Sequence, residues 1–336
     1  MVDGARRLST GLTRERELAG ARYFEDPQLL GAYLLLYWPV SYAQARSVLG
    51  ELGGAVGGRA LDVGSGPGPL ALAALDAGFG RAVAIDRSAA ALTVARALAD
   101  ERLSSERWEP TRPLPEGPFD LVLCGHLLNE LFGDDVGARA TLVGSLLARL
   151  TPTGVLVILE PALRETSRAL LQLRDRLVAA GATVRAPCLY RGDCPALTRP
   201  GDWCHAERRF NPPPLVEELA RAAKLHRDAL KMSYLVLQAP GVPWPAPPPG
   251  SVYRIVSEPL PQKGQQRFVG CGPDGRSPLV LVDKHVRDGN RAFVDLARGD
   301  VVRVERLTAR GDGLRLDDAS TVTRLAGAGE PLPPPR

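Results

Sequence analysis

The 336-residue chain lacks any apolar run long enough to cross a bilayer, which excludes a membrane-spanning helix. Its most membrane-like stretch, Leu29 to Val40, is short and carries Tyr33, Tyr37 and Trp38, so it reads as a buried helix. The start is equally poor in apolar residues. Met1 to Glu17 mixes Arg and Glu without an apolar core, so no secretory signal is read there and a cytoplasmic location is expected. Cysteine is scarce, five residues in all, and disulfides are disfavoured in that compartment. No internal repeat is found. What remains is the composition of a soluble globular protein, 45% hydrophobic and 24% charged, long enough for two modest domains.

The most informative run that is present is Arg59-Ala-Leu-Asp-Val-Gly-Ser-Gly-Pro-Gly-Pro-Leu70. An apolar strand ends in a glycine-rich turn that opens onto an alanine-rich helix, which places a nucleotide-sized ligand at the carboxyl end of the first strand of a doubly wound sheet. Dinucleotide folds use G-x-G-x-x-G, whereas Gly64, Gly66 and Gly68 give G-x-G-x-G with Asp62 before them. That pattern resembles the first motif of class I S-adenosylmethionine-dependent methyltransferases. Arg81-Ala-Val-Ala-Ile-Asp86 follows as a second strand whose terminal carboxylate is placed to accept ribose hydroxyls. Phe119-Asp-Leu-Val-Leu-Cys124 and Gly154-Val-Leu-Val-Ile-Leu-Glu160 read as later buried strands of a parallel sheet. The cofactor-binding candidates are Asp62, Gly64, Ser65, Gly66, Gly68, Asp86 and Arg87, with Gly125 and His126 bordering the pocket.

The organisation expected along the chain is an N-terminal helical segment over 1–55, a cofactor-binding α/β domain over 56–239, and a proline-rich linker over 240–250. A small β-barrel, possibly of the OB type, is expected over 251–326, followed by a disordered tail over 327–336. Pro39 should break or kink the first helices. Prolines between Pro240 and Gly250 cannot donate to a sheet, and linker composition by itself predicts independent domain motion. Net charge is +4, and from Ser251 onward fourteen Lys or Arg stand against eleven Asp or Glu. This uneven excess suits either a solvated face or a nucleic-acid surface.

Cys188, Cys194 and Cys204 fall within the loop 186–214, crowded with Pro, Gly and Asp, while Cys271 lies in the barrel segment. Such a loop has few apolar residues with which to order itself, so a metal centre would supply the missing cross-link. The spacing C-x5-C-x9-C matches no zinc ribbon or bacterial ferredoxin, and thiolates suit both zinc and iron–sulfur clusters. Structural or incidental thiols are the other reading. His205 is read as a surface or hydrogen-bonding histidine and Cys124 as a core thiol.

Several runs taken together resemble a known family. Tyr33-Leu-Leu-Leu-Tyr-Trp-Pro-Val-Ser-Tyr42, Leu61-Asp-Val-Gly-Ser-Gly-Pro-Gly68, Leu128-Asn-Glu-Leu131, Glu160-Pro-Ala-Leu-Arg-Glu-Thr-Ser-Arg168, Ala186-Pro-Cys188, Asp202-Trp-Cys-His205 and Ser233-Tyr-Leu-Val-Leu237 are similar to the mitochondrial small-ribosomal-subunit assembly methyltransferase-like family and its bacterial relatives. The resemblance implies a class I methyltransferase fold, association with the small ribosomal subunit or its rRNA, and a [4Fe–4S] cluster. Carried onto this chain, the cluster ligands are Cys188, Cys194, Cys204 and Cys271, with zinc as the alternative metal.

The sequence names no catalytic residue. Methyl transfer to an exocyclic base nitrogen often uses an Asn/Asp-Pro-Pro-aromatic motif after the fourth strand, where this chain has Cys124-Gly-His-Leu-Leu-Asn-Glu130. Asn211-Pro-Pro-Pro214 lies far downstream and lacks the aromatic. Three functions are therefore expected in order: a methyltransferase acting on small-subunit rRNA, a non-catalytic assembly factor that binds cofactor and RNA, and a small-molecule methyltransferase. The partners expected are the small subunit or its RNA, with no membrane and no disulfide partner.

Overall fold

The computed structural model describes residues 1–53, 57–226, 228–246, 248–260 and 262–333. Helices α1 (Val2–Ser9), α2 (Pro27–Leu36) and α3 (Trp38–Glu51) lead the chain. Asp26 caps α2 by accepting the Gln28 N–H at 2.9 Å. Pro39 sits in the first turn of α3, where its missing N–H is harmless, so the apolar stretch Leu29 to Val40 is two helices rather than one.

The first sheet is built from β1 (Arg59–Val63), β2 (Arg81–Asp86), β3 (Leu103–Arg107), β4 (Phe119–Gly125), β5 (Leu150–Pro161), β6 (Thr183–Ala186), β7 (Ala206–Arg209) and β8 (Ala229–Gln238). Between them run α4 (Pro69–Asp76), α5 (Ala89–Leu98), α6 (Val136–Leu147), α7 (Arg164–Ala179) and α8 (Pro214–Ala223). Strand order is β3-β2-β1-β4-β5-β8-β6, with β7 also paired to β8. The first five strands are parallel, and β8 runs antiparallel to β5. Both faces of this sheet are covered: Leu121 and Leu123 enter one core, Val122 and Cys124 the other. That two-sided burial explains why the central strands are unbroken apolar runs. Chain reversal of order at β1 and β4 opens a crevice at their carboxyl ends, where such sheets bind ligands.

The second sheet contains β9 (Val252–Ile255), β10 (Gln265–Gly272), β11 (Gly275–Val282), β12 (Val301–Glu305), β13 (Thr308–Arg310), β14 (Gly313–Leu316) and β15 (Thr321–Ala326). Their order is β13-β14-β11-β10-β9-β12-β15, and among the described residues no pairing joins β13 to β15. A separate core lies beneath it, with Phe268 and Phe293 edge to face at 5.2 Å beside Leu279, Leu281, Val302 and Val304.

Both the tail and the linker make contacts with the rest of the chain. Residues 327–333 of the tail are seated: the Glu330 carboxylate accepts the Gly327 N–H at 2.6 Å, and Leu332 packs against Val252 and Val301. Residues 334–336 lie outside the described residues. The linker is also tied down rather than free. Its carbonyls accept from both sides, Val242 O from Thr183 Oγ1, Pro245 O from Arg191 at 2.8 Å, and Pro249 O from Arg303 at 2.9 Å. Among the described residues, no helix is long and apolar enough to cross a membrane.

Candidate functional site

The crevice predicted by the topology holds a cavity of about 100 Å³ lined by Gly64, Gly66, Asp86, Arg87, Gly125 and His126. Gly64, Gly66 and Gly68 all have positive φ, at 70°, 52° and 77°, a backbone region that side chains disfavour. Gly66 donates its N–H to Asp86 Oδ2 at 2.8 Å, and Ser88 donates to Oδ1 at 2.8 Å, so the carboxylate fixes the turn as well as facing the cavity. Burial pushes the Asp86 carboxyl up, against those N–H groups and Arg87, which pull it down.

Three of the nine cofactor candidates sit outside the cavity wall. Asp62 is 1% exposed and accepts the Ala71 N–H at 2.9 Å, bracing the start of α4 from behind the turn; burial pushes its carboxyl up to about 7. Gly68 caps α4 in the left-handed conformation, and Ser65 is buried beneath the turn. Arg87 lines the cavity, but its guanidinium reaches back to donate to Gly20 O, at 2.8 Å, and Ala21 O.

His126 takes φ 58° and is held there by its N–H to Leu159 O at 2.7 Å. Its Nε2 lies 3.2 Å from Gln44 Oε1, while Gln44 Nε2 donates to Lys231 O at 3.1 Å. Gln44 Oε1 is therefore the acceptor and His126 carries its proton on Nε2. Burial pushes this imidazole down to about 4, so it is neutral at physiological pH. Below it, Glu160 Oε1 accepts the Leu128 N–H at 3.0 Å while, among the described residues, Oε2 makes no hydrogen bond; burial pushes that carboxyl up to about 8, against Asn129 and the Leu128 N–H, which pull it down.

Sequence reasoning missed most of the wall, thirteen of its nineteen residues. Tyr23, Phe24, Tyr33, Trp108 and Glu130 also line the cavity. The segment after α1 folds back over the turn: Gly20 N donates to Glu130 Oε2 at 3.2 Å, and Arg16 donates to Asn129 O and Oδ1, both at 2.8 Å. Burial pushes the Glu130 carboxyl up to about 7. Only the aromatic content of this segment was visible in one dimension, since its return to the crevice depends on contacts to Arg87 and Glu130.

A second cavity, of about 70 Å³, is lined by Cys188, Cys194, Cys204 and Cys271 together. The loop that carries three of them is ordered by two arginines of α7. Arg168 donates to Ala196 O at 3.2 Å and Arg199 O at 2.9 Å; Arg174, 1% exposed, donates to Tyr190 O at 2.7 Å and to Gly192 O. Asp175 adds a bond from the Cys194 N–H at 2.9 Å. Burial pushes all four thiols up, Cys194 to about 12. Arg254, Arg276 and Arg298 also line the cavity. Among the described residues no three His, Cys, Asp or Glu side chains form a group able to hold a single metal ion. His205 stacks on Trp203 at 4.3 Å, and Cys124 is fully buried in the core.

The family described as "Mitochondrial small ribosomal subunit Rsm22" matches residues 28–315, a span that holds the whole first sheet, most of the second and all four cavity-lining cysteines, and begins just after Tyr23 and Phe24. The chain belongs to the Rsm22 family. A ribosomal protein L11 methyltransferase of Pelobacter propionicus is 36% identical over 124 residues, which is 36% of this chain and 35% of that protein. The chain thus spans about a third of the length of the curated relative it matches. Among solved structures, a SAM-dependent methyltransferase of Leishmania major from the DUF858 family is 17% identical with a TM-score of 0.44, over 65% of this chain and 81% of that one. The N-methyltransferase NodS of Bradyrhizobium japonicum, solved with S-adenosyl-L-homocysteine, is 16% identical with a TM-score of 0.39, over 59% of this chain and 85% of that one. The Rsm22 description is mitochondrial, unlike the cytoplasmic location expected from the sequence.

Proposed function

We propose that this Rsm22-family chain binds S-adenosylmethionine and acts on, or assembles with, small-subunit ribosomal RNA. The observation that carries the reading is the glycine-lined cavity at the carboxyl ends of β1, β2 and β4. Its residues fit the cofactor because the glycines leave the space a ligand needs. A Cβ on Gly64 would stand 2.8 Å from Leu127 and one on Gly66 3.0 Å from Phe24, both side chains of the cavity wall. Asp86 would hold the ribose hydroxyls, Gly64 and Gly66 would lie along the methionine part, and Gly125 and His126 would border it. Bound there, the cofactor supplies an electrophilic methyl on a sulfonium. The chain's own part is to align an acceptor and exclude water, with His126 neutral and its proton on Nε2.

A second reading, a cofactor-binding assembly factor that transfers no methyl, is favoured by one feature. The loop after β4 carries Cys124-Gly-His-Leu-Leu-Asn-Glu130 where base-methylating enzymes place their acceptor clamp. Crosslinking in cells followed by a methylation map of the bound RNA, with and without the gene, separates the two. Crosslinks on small-subunit rRNA with a methyl group that disappears in the deletion support the enzyme. Crosslinks with an unchanged map support the assembly factor, and absence of crosslinks to that RNA sinks the ribosomal reading. The second sheet, read as OB-like, would be the RNA-facing part, and its binding should weaken with salt as Lys263, Arg267, Lys284, Arg287 and Arg303 release counterions. The site of action proposed is cytoplasmic.

The four cysteines are proposed to hold a [4Fe–4S] cluster, with zinc as the alternative. Four thiols lining one cavity, Cys271 among them from beyond the linker, match the ligand number that a cluster or a tetrahedral zinc takes. A four-thiolate cluster is an anion, and Arg254, Arg276 and Arg298 line the same cavity. Protein purified without oxygen should be brown, with about four iron and four sulfide per chain, and Cys271→Ser should lower both. Stoichiometric zinc in colourless protein would replace the cluster, and metal-free protein would refute both.

A further inference from the structure

The cofactor cavity has one wall that the doubly wound sheet does not supply. Tyr23 and Phe24 come from the segment that folds back before α2, and Tyr33 comes from α2 itself. Their rings form one cluster, with Tyr23 and Phe24 at 4.4 Å and Phe24 edge-on to Tyr33 at 4.9 Å. Phe24 stands against the glycine turn: a Cβ built on Gly66 would be 3.0 Å from its ring. Three carboxylates, Glu25, Asp86 and Glu130, line the same cavity as this aromatic cluster.

The cluster is also fixed in place. Glu130 accepts the Gly20 N–H at 3.2 Å and faces the Tyr23 hydroxyl at 3.5 Å, while Arg87 holds the carbonyls of Gly20 and Ala21. Rings held in advance lose little freedom when a ligand arrives, so their electrostatics act at nearly full strength. An aromatic face is negative and attracts a cation, and more so where water is excluded. An anion would meet Glu25, Asp86 and Glu130, while the two arginines of the wall are turned to other partners, Arg22 to Glu109 at 3.5 Å and Arg87 to the Gly20 and Ala21 carbonyls. A neutral thioether would gain only dispersion.

On the reading that this cavity takes S-adenosylmethionine, we propose that Tyr23, Phe24 and Tyr33 make it selective for the positively charged sulfonium over the neutral thioether of S-adenosylhomocysteine. The two ligands share adenine, ribose and amino-acid groups and differ at the charged sulfur. Selectivity of this kind would keep the donor form bound when the demethylated product accumulates.

Calorimetry with three probes tests it: S-adenosylmethionine, S-adenosylhomocysteine, and sinefungin, which carries an ammonium group in place of the methylsulfonium. Wild-type protein should bind both cations about ten-fold more tightly than the thioether, the scale of a desolvated cation over aromatic rings. Phe24→Leu keeps the apolar bulk and removes a ring face, and should pull the ratio towards unity; Tyr33→Leu should do the same. Tyr23→Phe keeps its ring and should preserve the ratio. Equal affinity for all three probes in the wild type, or a ratio unchanged in both leucine variants, overturns the cation selectivity while leaving the cofactor site standing. Failure of every probe to bind overturns the cofactor reading itself.

Discussion

Replacing Gly66 with valine should raise the dissociation constant for S-adenosylmethionine by at least about a hundredfold, with the thermal unfolding profile shifted only modestly. Two effects combine at this position. Its φ of 52° is strained for any side chain and most of all for a β-branched one, and its Cβ would stand 3.0 Å from the Phe24 ring. Relief of either moves the turn that presents the Gly66 N–H to Asp86. The strain amounts to about 1–3 kcal/mol, small beside the stability of a domain but concentrated where the ligand must approach the backbone. Gly133 provides the control. It also has positive φ, at 50°, yet a Cβ there meets nothing within 4 Å, so Gly133→Ala should carry backbone strain without loss of binding. Unchanged affinity in Gly66→Val would remove the glycine turn from the cofactor site.

How much of this was legible in the sequence depended on whether a residue's surroundings are local. β1, β2, β4 and β5 were readable because burial on both faces demands short runs of Val, Leu and Ile. β3 was not: at the sheet edge only Leu103 of Leu103–Arg107 is buried, so Ser and Glu carry no strand signal. β13 and β14 were missed for the same reason, their residues being largely exposed or half-buried. The glycine turn announced itself through conformation, since positive φ at three alternate positions leaves few other residues possible. The part Asp62 plays behind the turn, accepting the Ala71 N–H at the start of α4, was not legible, since its spacing is equally compatible with facing the ligand or bracing the helix. Tyr23, Phe24 and Glu130 belong to the site only through long-range contacts, which no pattern along the chain encodes.

The convergence of the four cysteines shows the same limit from the other side. Cys271 is separated from its partners by the whole linker, and composition there predicts free motion between units. What brings the units together is packing the sequence does not advertise. Arg254 of β9 lies beside Cys188, and its guanidinium is among the charges that draw that thiol down against its burial. The linker carbonyls are occupied, and the thiol cavity is walled by residues from both sheets.

Glu51→Ala should be the most destabilising single substitution tested, lowering stability by about 3–5 kcal/mol in chemical denaturation, the usual effect of removing one partner of a buried ion pair. Glu51 ends α3 with its side chain 5% exposed and gathers three groups from elsewhere. Its Oε1 accepts from Arg254 Nη2 at 2.6 Å; its Oε2 accepts from Arg208 Nη2 at 3.3 Å and from the Tyr234 hydroxyl at 2.5 Å. Helix α3, the first sheet and the second sheet therefore meet at one carboxylate, which reads in sequence as an ordinary solvated acid. Burial pushes this carboxyl up, but Arg254, Tyr234 and Arg208 outweigh it and hold it below its ordinary 4.5. A depressed folded-state value contributes stability above the unfolded value and loses it as pH falls through the folded one. Wild-type stability should accordingly drop below about pH 4.5 in part through this group, and Glu51→Gln should flatten that limb while lowering the plateau at neutral pH. Replacing Glu51 and Arg254 together by methionine should recover part of the loss, since no charge of that pair is then left buried without its counterpart. Because Arg254 and Arg208 also line the thiol cavity, the alanine variant should loosen the contact between the two sheets, seen as faster hydrogen exchange in β9 and β7. Exchange rates and stability both unchanged in Glu51→Ala would mean that the two units are held by their apolar contacts and the linker, with the carboxylate a bystander.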